Sequence, residues 1–478
     1  MAEALLVTEG LVVTMDPARR VIAGGAVLIE GGRIAAVGET AALRAAHPGV
    51  AELNAHGKAV LPGLIDVHAH AGHTLVKTMG GGDSARWTES VEAIYPRGAT
   101  PEFWGADGAL AALERLKAGV TTGLSVFGAY GSRTDEAAHA LAHTAAYRRV
   151  GVRSVVCPGA SPPPYPNSFI RWDGATPTER AITLDHQLRV CEELVAALHD
   201  GEGARSRVML CAPVAFSGRP GVTEELARAY DDTARQVRAL SRSLRVGFTQ
   251  DGHKGGTVRA AAAAGLLGPD ALLSHCIDLH EDEIRLIAET DTKVAHNPSA
   301  NFSIIGRCPA IELMAAGATV AIASDGTAPD RSFDMFRHMF QAMHYHRRHF
   351  RDPKVLPPGQ ALAMITCDAA RALGMAEEIG SLEVGKRADI AIVALRQPHL
   401  WPGDMPLFRL VCFAVGSDVE TVLVGGRVVM AGRQVLTVEE DAVLEDATRE
   451  ISLAVQRTGL QAMLETPAGF WGAPREAR

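Results

Sequence analysis

The sequence predicts an α/β fold: a (β/α)8 TIM barrel carrying a small β-sandwich domain built from both chain ends. Three observations carry this. Eight short β-rich runs alternate with helical stretches of a dozen residues or more through the middle of the chain, strands cluster before that region, and strands return after it. A chain of 478 residues is long enough for a barrel plus a second, smaller unit.

The elements follow in order. Residues 1–60 contain "ALLVTEGLVVTMD" and "GGAVLIEGGRIAAVG", apolar runs separated by Gly-Gly turns. The barrel runs are "GLIDVH" (63–68), "VTTGLSV" (120–126), "VRSVVC" (152–157), "RVMLCA" (207–212), "LRVGFT" (244–249), "ALLSHC" (271–276), "TKVAHN" (292–297) and "TVAIASD" (319–325). Amphipathic stretches such as "TEELARAYDDTARQVRALSR" lie between them. Near Gly380 strands resume with "GSLEVGKRADIAIV" and "VETVLVGGRVVMAG". The expected division is 1–61 with 381–478 as the composite β domain, and 62–380 as the barrel. Two segments after barrel strands, 79–104 and 158–177, read as long aromatic loops on the face where barrel sites form. "HYHRRHF" (344–350) reads as a solvated helix end.

Composition narrows the function classes. Net charge is −8, apolar residues make up 47% and charged residues 21%. No basic field is present to attract nucleic acid or an anionic membrane. Seven scattered cysteines without a Cys-x-x-Cys pair read as reduced thiols in a cytoplasmic protein. "MAEALLVTEG" lacks the basic and apolar regions of an export signal, and no run of 18 apolar residues suggests a membrane span.

The chemistry is expected at the strand ends. Residues two apart on a strand face the same side, so His68 and His70 of "VLPGLIDVHAHAGH" point together at the mouth of the first barrel strand. Two imidazoles aimed at one point begin a divalent metal site. Later strands close with His275, His296 and Asp325. Asp325 is the only carboxylate that this reading puts beside the histidine pair, able both to ligate a metal and to accept a proton. The aromatics Trp87, Tyr95, Trp104, Phe169 and Trp172 are candidates for closing the pocket over a substrate, and His73 and His296 are further substrate-binding candidates.

These motifs resemble the amidohydrolase superfamily, in the branch of chlorohydrolases, cytosine deaminases and S-adenosylhomocysteine deaminases. "PGLIDVHAH" resembles its first-strand metal motif. "HNPSANFSIIGRCPAIELMAAGATVAIASDG" resembles its block from strand seven to strand eight, and "GSLEVGKRADIAIV" its return to the β domain. The resemblance covers nearly the whole chain. It implies one catalytic divalent metal, zinc first with iron, manganese or cobalt as alternatives, held by His68, His70, a fifth-strand His and Asp325. It further implies that His275 positions the hydrolytic water, and that the protein is a homodimer or tetramer.

The fifth strand departs from that pattern. Where the family has His-x-x-Glu, this chain reads "RVGFTQDGHKGG", with Gln250 in place of the His and His253 in place of the Glu. Gln250, His253, His275 or a water are candidates to complete the metal shell. "RVMLCAPVAF" offers no Lys to bridge two metals, which favours a mononuclear site. Without the Glu, the expectation is a hydrolase whose metal-activated water cleaves an amide, urea, carbamate-like or related bond of a small nitrogen-containing, cyclic or aromatic compound. In it Asp325 is the general base, His275 holds water or oxyanion, and His253 serves the leaving group. Deamination of a heterocyclic base is the alternative reaction. A metal-free binding or assembly protein is the alternative of another class.

Overall fold

The computed structural model describes residues 4–127, 133–199, 205–214 and 222–472. Eight parallel strands pair in sequence order: Leu64–Asp66, Val120–Val126, Arg153–Cys157, Ser206–Ala212, Gly247–Gln250, Ala271–Ser274, Lys293–His296 and Val320–Ile322. Their inward and outward faces are both buried, as parallel strands covered by helices require. The ring is tied shut at its mouth, where the Asp325 amide donates to the His68 carbonyl at 3.0 Å.

The β domain forms one continuous nine-stranded sheet containing both chain ends. Lys58–Pro62 lies between Leu5–Val13, its parallel partner, and Ile390–Ala394, its antiparallel partner. Two residues beyond Pro62 the chain enters the first barrel strand, so the sheet delivers the histidine motif directly. Arg153 on the third barrel strand grips Asp389 at 2.6 Å, both side chains buried, which couples barrel to sheet.

The two long segments are built rather than looped. Within 79–104, Asp83 accepts from the amides of Ala85 and Arg86 and starts the helix Ser84–Ala93. Thr100 caps a second helix, Pro101–Lys117, whose first-turn proline needs no amide partner. Within 158–177, Asn167–Asp173 pairs antiparallel with Thr176–Ile182 across a two-residue turn whose Gly174 has a φ of 57°. The segment 344–350 ends the helix Met335–Phe350. His344 and His349 are exposed there, but His346 is buried against His296, which corrects the expectation of a wholly solvated end. Among the described residues, no helix is long and apolar enough to cross a membrane.

Candidate metal centre

The site gathers just beyond the last paired residues of four strands. His68 and His70 follow the first strand, Asp251 the fifth, His275 the sixth and Asp325 the eighth. The Nε2 atom of His68 lies 3.1 Å from Asp251 Oδ1 and 3.5 Å from Asp325 Oδ1. That of His70 lies 3.2 Å from Asp251 Oδ2 and 3.4 Å from Asp325 Oδ1. His275 Nε2 is 3.1 Å from Asp251 Oδ1 and 3.8 Å from Asp325 Oδ1. His275 and Asp325 both have left-handed backbone, with φ of 69° and 60°. Such conformations in residues other than glycine cluster at functional sites.

This donor set fits a cation. One ligand atom from each of His68, Asp251, His275 and Asp325 lies within 4.8 Å of the others. Yet neither ring nitrogen of His68 makes a hydrogen bond, although both are buried. Imidazoles packed against carboxylates without hydrogen-bond geometry are what a shared central ion would organise. Borderline nitrogen and hard oxygen donors together suit zinc, iron, manganese or cobalt.

Neighbouring groups set the charge. Burial opposes the ionised form of Asp251, but His68, His275 and His70 outweigh it and hold the carboxyl well below its usual range. Burial likewise opposes Asp325, and Arg331 followed by His275 overcomes it in the same direction. Burial pulls His68 down, but Asp251 and Asp325 raise it to about 10. Asp251 is fixed from behind: Ser274 Oγ donates to its Oδ1 at 2.8 Å, and Asn297 Nδ2 donates to that hydroxyl at 2.9 Å.

Asp251 is the residue that sequence reasoning missed, and its presence corrects the reading of Asp325 as the only carboxylate beside the histidines. Gln250, the candidate at that strand end, donates its amide to the Pro213 carbonyl at 3.2 Å, while its Oε1 is buried without a hydrogen-bond partner. His253 is buried, with Nδ1 at 2.9 Å from Thr257 Oγ1, and burial depresses it to about 3. His73 stacks on His70 at 4.6 Å between ring centroids and meets the edge of Trp87 at 4.9 Å. Tyr95 packs against Gly72 and joins Trp104 and Phe103 in a buried aromatic group that also reaches Phe127. Phe169 lies under Arg133. Trp172 donates to the Arg97 carbonyl at 2.7 Å and faces Arg457. His296 Nε2 is 3.1 Å from His346 Nε2, and burial keeps His296 neutral. Phe302, also unforeseen, stacks on His275 at 4.5 Å.

A parallel barrel with imidazoles and carboxylates converging at the strand ends defines a scaffold for metal-dependent hydrolysis. The amidohydrolase family pattern matches residues 59–429, and the chain belongs to that family. It is accordingly a hydrolase of non-peptide carbon–nitrogen bonds. A short stretch, 25–49, also matches a bacterial imidazolonepropionase-like composite domain. The 5-methylthioadenosine/S-adenosylhomocysteine deaminase of Syntrophobacter fumaroxidans is 33% identical over 450 residues, 92% of this chain and 96% of the relative. The 5'-deoxyadenosine deaminase of Methanosarcina barkeri is 29% identical over 462 residues, 95% and 99% of the two chains. Among solved structures, a zinc-bound adenosine deaminase from Xanthomonas campestris superposes with a TM-score of 0.79 at 25% identity, covering 95% of this chain and 98% of that one. A zinc complex of the Arthrobacter aurescens atrazine chlorohydrolase gives 0.76 at 22% identity over 94% and 100%, a likeness of fold.

Proposed function

We propose that the protein uses one divalent metal, zinc first, to hydrolyse a carbon–nitrogen bond of a small planar nitrogen heterocycle. The observation that carries this is the convergence of His68, His70, His275, Asp251 and Asp325 without hydrogen bonds to satisfy His68. His68, His70, Asp251 and Asp325 would hold the ion. When bound, it supplies Lewis acidity and makes water acidic enough to react near neutral pH.

The chain's own groups do the rest. Asp325, kept anionic by Arg331 and His275, accepts the proton from the attacking water and returns it to the leaving nitrogen. His275, braced by Phe302 and within 3.3 Å of Asn297 Nδ2, orients the oxygen that is added. His70, His73 and Trp87 wall one side of the mouth.

Opening of a cyclic amide or urea is the first reading. Asp251 is turned to the imidazoles, and burial holds His253, whose Nδ1 meets Thr257, in its neutral form, so the fifth strand presents no carboxylic acid or imidazolium to protonate a ring nitrogen. Deamination is the second, favoured by the names of the relatives. The test is a screen of cyclic amides, cyclic ureas, aminotriazines and adenosine derivatives, with mass spectrometry of the products, ammonia detection and metal quantification. We expect about one ion per chain, and turnover that Asp325→Asn lowers by about 10²–10⁴-fold. Protein without metal, or Asp325→Asn retaining both metal and full turnover, sinks the proposal; ammonia released with the ring intact selects deamination.

We further place the protein in the cytoplasm as a homo-oligomer. Buried free thiols agree with the first, and the exposed Trp401, Met405, Phe408 and Phe413 offer an apolar surface for the second. Sedimentation velocity showing only monomer would remove the oligomer.

A further inference from the structure

Beside the metal centre lies a group of buried side chains with hydrogen-bonding atoms that have no partner. Arg331 sits on the loop after the eighth barrel strand, its side chain only 4% exposed. One nitrogen, Nη2, is 3.3 Å from Asp325 Oδ2, 3.2 Å from the Asp325 carbonyl, and also donates to the Ala328 carbonyl. The other two, Nε and Nη1, are buried without any hydrogen-bond partner. The same holds for the Thr327 hydroxyl on that loop, for the Trp87 indole nitrogen, and for His73 Nδ1.

Packing joins these groups into one wall. Trp87 meets the edge of His73. His73 Nδ1 packs so closely on Gly326 that an added Cβ would come within 2.5 Å of it, at a φ of 81°. Gly326 lies between Asp325 and Thr327, and Arg331 returns to Asp325. Buried donors are rarely left orphaned in native proteins, and a guanidinium least of all.

Charge points the same way. The carboxylates of Asp251 and Asp325 face three imidazoles and Arg331. With neutral imidazoles, a divalent ion would balance the two carboxylates, and the Arg331 guanidinium would then add a positive charge beside the centre. An anion relieves that imbalance.

We propose that Arg331, with Thr327 and Trp87, forms a subsite for a carboxylate on the substrate, so that the heterocycle this hydrolase takes is an acidic one. The inference rests on the function proposed above and names its substrate class. Arg331 is a specificity residue: it binds a part of the substrate that does not react.

The test uses the protein as purified, with its metal content measured in every sample. Acetate and benzoate are titrated calorimetrically, each against its neutral amide, into wild type, Arg331→Gln and Arg331→Lys. Wild type should bind the carboxylates at least tenfold more tightly than the amides. Arg331→Gln should lose that preference with metal content unchanged, while Arg331→Lys keeps part of it. Carboxylates that bind Arg331→Gln as tightly as wild type, or wild type that does not distinguish carboxylate from amide, would overturn the subsite. Absence of metal from wild type counts against the proposed hydrolysis and not against the subsite, whose readout is anion preference.

Discussion

Asp251 stands one residue past Gln250, the last paired residue of its strand, and that single step decides which side chain meets the imidazoles. Strand alternation assigns faces only while the ladder continues. Past it, the backbone is free to turn, as the left-handed φ of His275 and Asp325 shows at the neighbouring strand ends. His68, His70, His275 and Asp325 were legible because histidine and aspartate at strand ends have few structural explanations. Asp251 was not, because alignment on a His-x-x-Glu spacing drew attention to the positions on either side of it. The consequence is measurable. Asp251→Asn should bind metal at least about tenfold more weakly, since even outer partners of metal ligands typically cost that much. Gln250→Ala should leave metal content unchanged, because Asp251, not Gln250, stands in the cluster of His68, His275 and Asp325. Metal titrations that reverse this order would return the fifth-strand ligand to Gln250.

Among the elements, the first and eighth barrel strands are locked together by Asp66. It accepts from the Ser324 amide at 3.0 Å and hydroxyl at 2.7 Å, and from Arg115 at 2.7 Å. Asp66 precedes His68 by two residues and Ser324 precedes Asp325 by one, so this lock sets the spacing between the candidate ligands His68 and Asp325. Neither Asp66 nor Arg115 is exposed at all, so removing one charge leaves the other buried and uncompensated. Asp66→Asn should cost about 3–5 kcal/mol of stability in a denaturant melt and weaken metal binding with it. A melt unchanged within error would show the lock to be idle. The strands themselves were readable from their apolar runs. The helix Ser84–Ala93 and the hairpin after the third strand were not, because glycine, proline and aspartate clusters look like loop whether they cap an element or interrupt one.

At the scale of the whole molecule, buried histidines make stability depend on pH. Burial, reinforced by Arg133, depresses His139 to about 3, and burial followed by Arg307 depresses His346 to about 4. Facing His139 are also Asp135, Glu136 and Arg171. An unfolded histidine takes up its proton near pH 6.5, so between that pH and the folded values the unfolded chain binds more protons. Stability should therefore fall as pH drops from about 6.5 toward 4, read from denaturation midpoints. His139→Gln should make the decline shallower; an unaltered slope would assign the effect elsewhere. The alternation of strand and helix made the barrel legible at this scale. The continuous sheet formed by both chain ends was less so, since pairing between residues this far apart leaves no local signal. That sheet also imposes an order of events during synthesis. Lys58–Pro62 has its partner Leu5–Val13 available on one edge, but the partner of its other edge, Ile390–Ala394, is made only much later. At roughly 5–20 residues per second, several hundred intervening residues keep that edge open for tens of seconds. The nascent chain thus carries an unpaired apolar strand beside His68 and His70 until a strand several hundred residues later covers it.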